Sequence, residues 1–140
     1  MTKKIYSLFS VFLCISLMFC LTSCKKSEKN KDGDGLWKNA TYTEDTTLGK
    51  GNKKITVEVK AGEKTVTFTL KTDKKTVGEA LYENKLVDSM EYALKVNGIV
   101  ADYDKDKTYW GFFVDGEYAS KGMNETVAEQ EKVYRLERTK

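Results

Sequence analysis

The segment from Lys54 to Leu70 narrows the fold more than any other stretch. Lys54-Ile-Thr-Val-Glu-Val-Lys60 alternates strictly, with Ile55, Val57 and Val59 on one face and Thr56, Glu58 and Lys60 on the other. Thr65-Val-Thr-Phe-Thr-Leu70 repeats the pattern, setting Val66, Phe68 and Leu70 against three threonines. Ala61-Gly62-Glu63-Lys64 between them is a turn of hairpin length. Strands with one apolar and one polar face need cover on one side only, so this run predicts an antiparallel sheet with one dry face.

The cover follows directly. Thr76-Val-Gly-Glu79 fits a capping box, in which the threonine and the glutamate satisfy free N–H groups at a helix start. Val77, Ala80, Leu81 and Tyr82 then carry an apolar stripe at helical spacing, and Asn84 marks a stop. So short a helix is marginal alone and is expected to pack against the sheet. Tyr92-Ala-Leu-Lys-Val96 reads as a strand, and Asn97-Gly98 before Ile99-Val-Ala101 is a hairpin signal, with a bulge in one longer strand as the competing reading. Asp102–Lys107 is a charged loop, and Val133–Arg138 alternates again. Upstream, Ala40–Tyr42 and Thr46–Leu48 suggest a lead-in strand at the domain edge, with Trp37 as its packing anchor. The order predicts an α+β fold: an antiparallel or mixed sheet with one short helix packed on it.

Between these elements lies Thr108-Tyr-Trp-Gly-Phe-Phe-Val-Asp-Gly-Glu-Tyr118, with five aromatic residues in eleven and an Asp115-Gly116 turn. Alternation puts Trp110, Phe112 and Val114 on one face and Tyr109, Gly111 and Phe113 on the other, so both faces are apolar. Such a strand is either buried on both sides or offers one face to a flat ligand. A glycine inside a strand marks close approach of another backbone or of a ligand. The Tyr109 hydroxyl would sit at the rim, able to orient a ligand.

The N-terminal residues carry a different message. Lys3 and Lys4 precede an uncharged apolar run from Ile5 to Leu21, and Leu21-Thr-Ser-Cys24 follows. A basic start and a short apolar run form a signal-peptide pattern. The small residues before Cys24 resemble a bacterial lipobox. Residues 1–23 are therefore expected to be removed and Cys24 to be lipidated, anchoring the chain to the outer face of the cell membrane, with the lipid bilayer as its partner. An uncleaved transmembrane anchor is the competing reading. Residues 24–36 are polar, charged and glycine-punctuated, which predicts a flexible tether, and residues 37–140 form the domain.

Composition narrows the function classes. The chain has no histidine, so neither a Ser-His-Asp nor a Cys-His arrangement can be built. Cys14 and Cys20 would leave with the signal peptide and Cys24 would be capped, leaving no thiol for a disulfide or a metal. Asp102, Asp104 and Asp106 open like a calcium loop, but Lys107 and Phe113 stand where glycine and an acid are required. Charges of both signs are interspersed around a net +3, without the basic stripe of nucleic-acid binders. No pair of carboxylates is singled out for acid–base work. A non-catalytic protein that binds no nucleic acid is the expectation.

Thr76-Val-Gly-Glu-Ala-Leu81, Val96-Asn-Gly-Ile99, Tyr109-Trp-Gly-Phe-Phe-Val-Asp-Gly-Glu117 and Gly122 together resemble the transcobalamin-like C-terminal domain, over about residues 37–138. That resemblance implies a β-grasp fold of the soluble-ligand-binding group. In the vitamin B12 carriers of the family the domain closes over the corrinoid together with a helical domain that is missing here. Carried over, the resemblance implies a ligand site at Tyr109, Trp110 and Gly111 and in the Lys121-Gly122-Met123 segment. It also implies a corrinoid or another vitamin-like ligand, passed to a membrane importer. The family's Gly-Asp turn before the last strand is replaced by Glu129-Gln-Glu131. The alternative is a module that docks a protein partner through the same strand.

Overall fold

Alternation in the two strands of the first hairpin is realised residue for residue. The computed structural model describes residues 33–140; the expected signal peptide and Cys24 lie outside the described residues. Strands β2 (Lys53–Ala61) and β3 (Lys64–Thr72) form the antiparallel hairpin, with Ile55, Val57, Val59, Val66, Phe68 and Leu70 all 0–1% exposed. Gly62 turns the chain at φ +62°, a conformation that costs glycine least. Strand β1 (Thr46–Gly49) lies parallel to β3 at one edge, where the lead-in strand was expected.

Helix α2 (Val77–Glu83) starts at Thr76, whose hydroxyl accepts from the Glu79 N–H while the Glu79 carboxylate accepts from the Thr76 N–H. This reciprocal bonding holds the Glu79 carboxyl below the usual carboxylate range, the Thr76 backbone N–H being the largest cause. Val77, Ala80 and Leu81 are buried, whereas Tyr82 is half exposed and lies outside the apolar stripe.

The last strand in the described chain, β8 (Val133–Thr139), runs parallel to β2 and inserts between it and β6 (Tyr109–Val114), which pairs antiparallel to β8. β7 (Glu117–Tyr118) folds back on β6 through Asp115-Gly116, both at positive φ. The six-stranded sheet has the order β1-β3-β2-β8-β6-β7, a mixed sheet in an α+β, β-grasp-like arrangement. Its dry face carries Val57, Val59, Tyr134, Leu136 and Phe112 in one core beneath α2. The wet face carries the Lys60–Glu137 ion pair at 3.0 Å.

Three differences from expectation have local causes. Gly33–Trp37 forms a single helical turn, α1, that begins inside the stretch read as tether; Leu36 packs on the core and the Trp37 indole N–H donates to the Ala61 carbonyl at 3.0 Å. Asp102–Lys107, read as a loop, contains another single turn, α3 (Tyr103–Asp106), because the Asp102 carboxylate caps the N–H groups of Asp104 and Lys105. The strand expected over Tyr92–Val96 is reduced to β4 (Lys95–Val96), paired with β5 (Ile99–Val100) around Asn97-Gly98. Ser89 Oγ accepts from the N–H groups of Glu91 and Tyr92, and Asp88 Oδ1 from those of Leu94 and Lys95. Side-chain acceptors that capture backbone donors in this way compete with a strand ladder.

Candidate functional site

Helix α2 and the β4–β5 hairpin do not cover all of the dry face, and a cleft of about 330 Å³ opens over its β6 side. Its floor is Trp110, Phe112 and Leu136, neighbours on one face of β6 and β8. One wall is Glu91–Ala93, the segment that Asp88 and Ser89 bend away from strand geometry. The other is Tyr118–Met123, the chain leaving β7.

The second wall is held from behind. Gly122 offers its carbonyl to the N–H groups of Glu125 and Thr126 and to the Thr126 hydroxyl, closing a tight turn. The Met123 carbonyl accepts from the Gly78 N–H at 2.8 Å and the Thr126 carbonyl from the Val77 N–H at 2.9 Å, tying the segment to the start of α2. Gly78 permits this approach: a Cβ there would stand 2.7 Å from the Met90 carbonyl oxygen and 3.0 Å from the Asn124 nitrogen. Met123 is 5% exposed and seals the cleft against the core.

The lining is mixed in character. Tyr92, 63% exposed, stands at the rim, and Glu91, Ser120 and Lys121 supply polar groups. Trp110 packs against the core, yet its Nε1 is buried and has no hydrogen-bond partner among the described residues. A buried donor left in this state costs about 1–3 kcal/mol. The cleft can therefore hold a flat or apolar body against the indole and Tyr92.

Of the residues the sequence pointed to, Trp110, Gly122 and Met123, with Lys121, are brought together in this cleft. Tyr109 and Gly111 are not, because alternation along β6 sends them to the opposite face. Gly111 has a different explanation from the close ligand approach. A Cβ there would meet the Phe113 ring at 3.1 Å and the Tyr118 ring at 3.5 Å, and these two rings pack edge to face at 5.1 Å. Two aromatic side chains of the same hairpin thus fill the space above the glycine, with Arg135 stacked 5.1 Å from the Phe113 centroid. Phe112 is 8% exposed and stacks with Tyr134, so it belongs to core and cleft floor alike.

Sequence reasoning missed the Glu91–Ala93 wall. The signal was present in Asp88-Ser89, two residue types that draw nearby backbone N–H groups out of strands. Asp102 and Asp106 are engaged locally: Asp106 accepts from the Thr108 N–H and hydroxyl and pairs with Arg138 at 2.6 Å, which holds its carboxyl low, the Thr108 hydroxyl foremost. Among the described residues no group of three or more His, Cys, Asp or Glu side chains converges. No described helix is long and apolar enough to cross a membrane.

No protein-family model matches the chain, and no curated protein sequence does. Among solved structures, it is similar to a crystal structure from Ruminococcus gnavus named as a candidate metal-binding protein. The identity is 26% and the TM-score 0.59, over 64% of this chain and 98% of that one. A weaker likeness, at 18% identity and TM-score 0.46, is to haptocorrin in complex with Cbi, covering 66% of this chain and 26% of that one. The likeness takes in nearly the whole of the Ruminococcus chain.

Proposed function

We propose that the chain is a non-catalytic capture domain, carried on the outer face of the cell membrane by lipidated Cys24, that binds a small flat ligand in the Trp110–Tyr92 cleft. A corrinoid or another vitamin-like cofactor for uptake is the ligand class, and a membrane importer is the recipient. The observation that carries the reading is the cleft that α2 leaves open, floored by Trp110, whose buried Nε1 has no hydrogen-bond partner among the described residues. A ligand acceptor that reaches this N–H recovers its desolvation cost. The remaining support is the resemblance of the Tyr109–Glu117 strand and Gly122 to the transcobalamin-like domain.

The cleft lies at the small end of ligand sites, which run from about 300 to 1,000 Å³. It suits one face of a planar molecule and leaves the other face for solvent or for the importer. Trp110, Met123 and Gly122 contact the ligand in this reading, and Tyr109 and Gly111 do not.

The test is titration of the full chain with cobinamide, cyanocobalamin and a panel of flat cofactors, following tryptophan emission and Tm. Binding at a hundredfold excess over Kd stabilises by about 2.7 kcal/mol and raises Tm accordingly. Trp110→Phe keeps the floor but removes the donor, so it is expected to fold normally and to bind about tenfold more weakly, the loss of one charge-neutral hydrogen bond. A panel that moves neither signal sinks the capture reading. If Trp110→Ala instead folds normally but no longer retains a surface protein, the domain is an interaction module.

A further inference from the structure

We infer that the domain rests on the bilayer through one defined end, formed by Leu94, Val100 and the α3 turn around Tyr103. This rests on the reading of Cys24 as a lipid anchor and adds an orientation to it.

The argument starts from sheet register. Ala61 at the end of β2 lies beside Arg138 of β8, which lies beside Trp110 of β6. Trp37 donates its indole N–H to Ala61, so α1 sits at this end of the sheet. Arg138 donates to the Val100 carbonyl at 3.0 Å and pairs with Asp106, so β5 and α3 sit there too. The described chain therefore begins, at Gly33, on the same end that carries Val100 and Tyr103.

Cys24 precedes Gly33 by nine positions. Nine residues of chain can reach at most about 30 Å. The nine-residue strand β2 alone spans about 30 Å. Bringing the far end of the sheet to the membrane would require the tether to be drawn out along the whole domain.

The near end also has the surface chemistry of an interfacial contact. Leu94 and Val100 are each 48% exposed, Tyr103 is 55% exposed, and Tyr92 at the cleft rim is 63% exposed. Tyrosine places an apolar ring and a polar hydroxyl at headgroup depth. Lys107 stands 4.9 Å over the Tyr103 ring and Lys64 4.9 Å over the Trp37 ring, which places two cations at this end. The far end bears lysines as well, Lys54, Lys71, Lys74 and Lys75 among them, and Val127 beside Thr76 is 49% exposed, so surface chemistry does not choose between the ends. The point where the tether enters does.

The test uses the full chain, processed in its host and reconstituted in vesicles of phosphatidylethanolamine and phosphatidylglycerol. Asp104→Cys at the near end and Lys75→Cys at the far end carry the same fluorophore, and nitroxide-labelled lipid is the quencher. Mass spectrometry of the Cys24 peptide is read first. A peptide without lipid overturns the anchor reading and this inference with it. With the lipid present, quenching at position 104 several-fold above that at 75 supports the orientation, and equal quenching overturns the orientation alone. Val100→Ser combined with Tyr103→Ser, both on exposed side chains, is expected to bring quenching at 104 down to the level at 75 while Tm changes little. Shielding of the 104 label in whole cells but not in vesicles would mean that a protein covers this end, and would overturn the bilayer as its occupant.

Discussion

Gly111 and Trp110 are sequence neighbours with opposite duties. The glycine makes room for the Phe113 and Tyr118 rings on the wet face, and the tryptophan floors the cleft on the dry one. Gly111→Ala is expected to push the Phe113 ring by a few tenths of an ångström, to cost about 1 kcal/mol in denaturant unfolding, and to leave ligand titration unchanged. A loss of ligand binding would return Gly111 to the site. Tyr134 is the other residue with a measurable signature. Its hydroxyl donates to the Val127 carbonyl at 2.9 Å and accepts from the Glu129 N–H at 3.0 Å, and burial pushes its phenol above the ordinary value of 10.0. A raised folded pKa means that this stability is fully present below the unfolded pKa and is lost as pH rises through the folded one. Tyr134→Phe should cost about 1–3 kcal/mol at pH 7 and flatten the decline of Tm above pH 10. An unchanged alkaline limb would show that the phenol does not govern it.

At the scale of elements, α2 is the best-signposted piece and the β4 region the worst. Thr76-Val-Gly-Glu79 announces both the helix start and its bonding, and Val77, Ala80 and Leu81 mark the buried face, whereas Tyr82 stands outside it. The hairpin of β2 and β3 was equally plain, because period-two burial writes itself into Ile55, Val57 and Val59. Tyr92–Leu94 misled because its apolar residues carry strand propensity, while two side chains outside the run, Asp88 and Ser89, decide its conformation. Half of the cleft was hidden for that reason: its walls are made by loops, whose shape depends on such local captures and on long-range contacts such as Gly78 to Met123. Thr76→Ala should cost about 1 kcal/mol and Glu79→Gln somewhat less. The Glu79 pKa is lowered on folding, so its share of stability is present above the unfolded value of 4.5 and is lost as pH falls through the folded one. The difference between wild type and Glu79→Gln, followed by urea unfolding from pH 7 to pH 3, should therefore shrink below about pH 4.5.

The whole molecule depends on a few long-range ties that join its first described residues to the sheet. Trp37 bonds to Ala61, and Asn97, wholly buried, exchanges hydrogen bonds with the Tyr42 backbone in both directions, at 2.9 and 2.8 Å. Trp37→Ala should cost about 3–5 kcal/mol and loosen α1, measurable as faster hydrogen exchange through residues 36–42. Intact protection there would mean that β1 and Asn97 hold the segment without the indole. One further consequence follows from β8 lying between β2 and β6 although it comes after every other described strand. Within the sheet itself, β2 and β6 have no shared ladder until residues 133–139 are in place. A nascent chain of this topology cannot complete its sheet ladder before β8 is made, and it does so in a non-local step of the kind that slows folding.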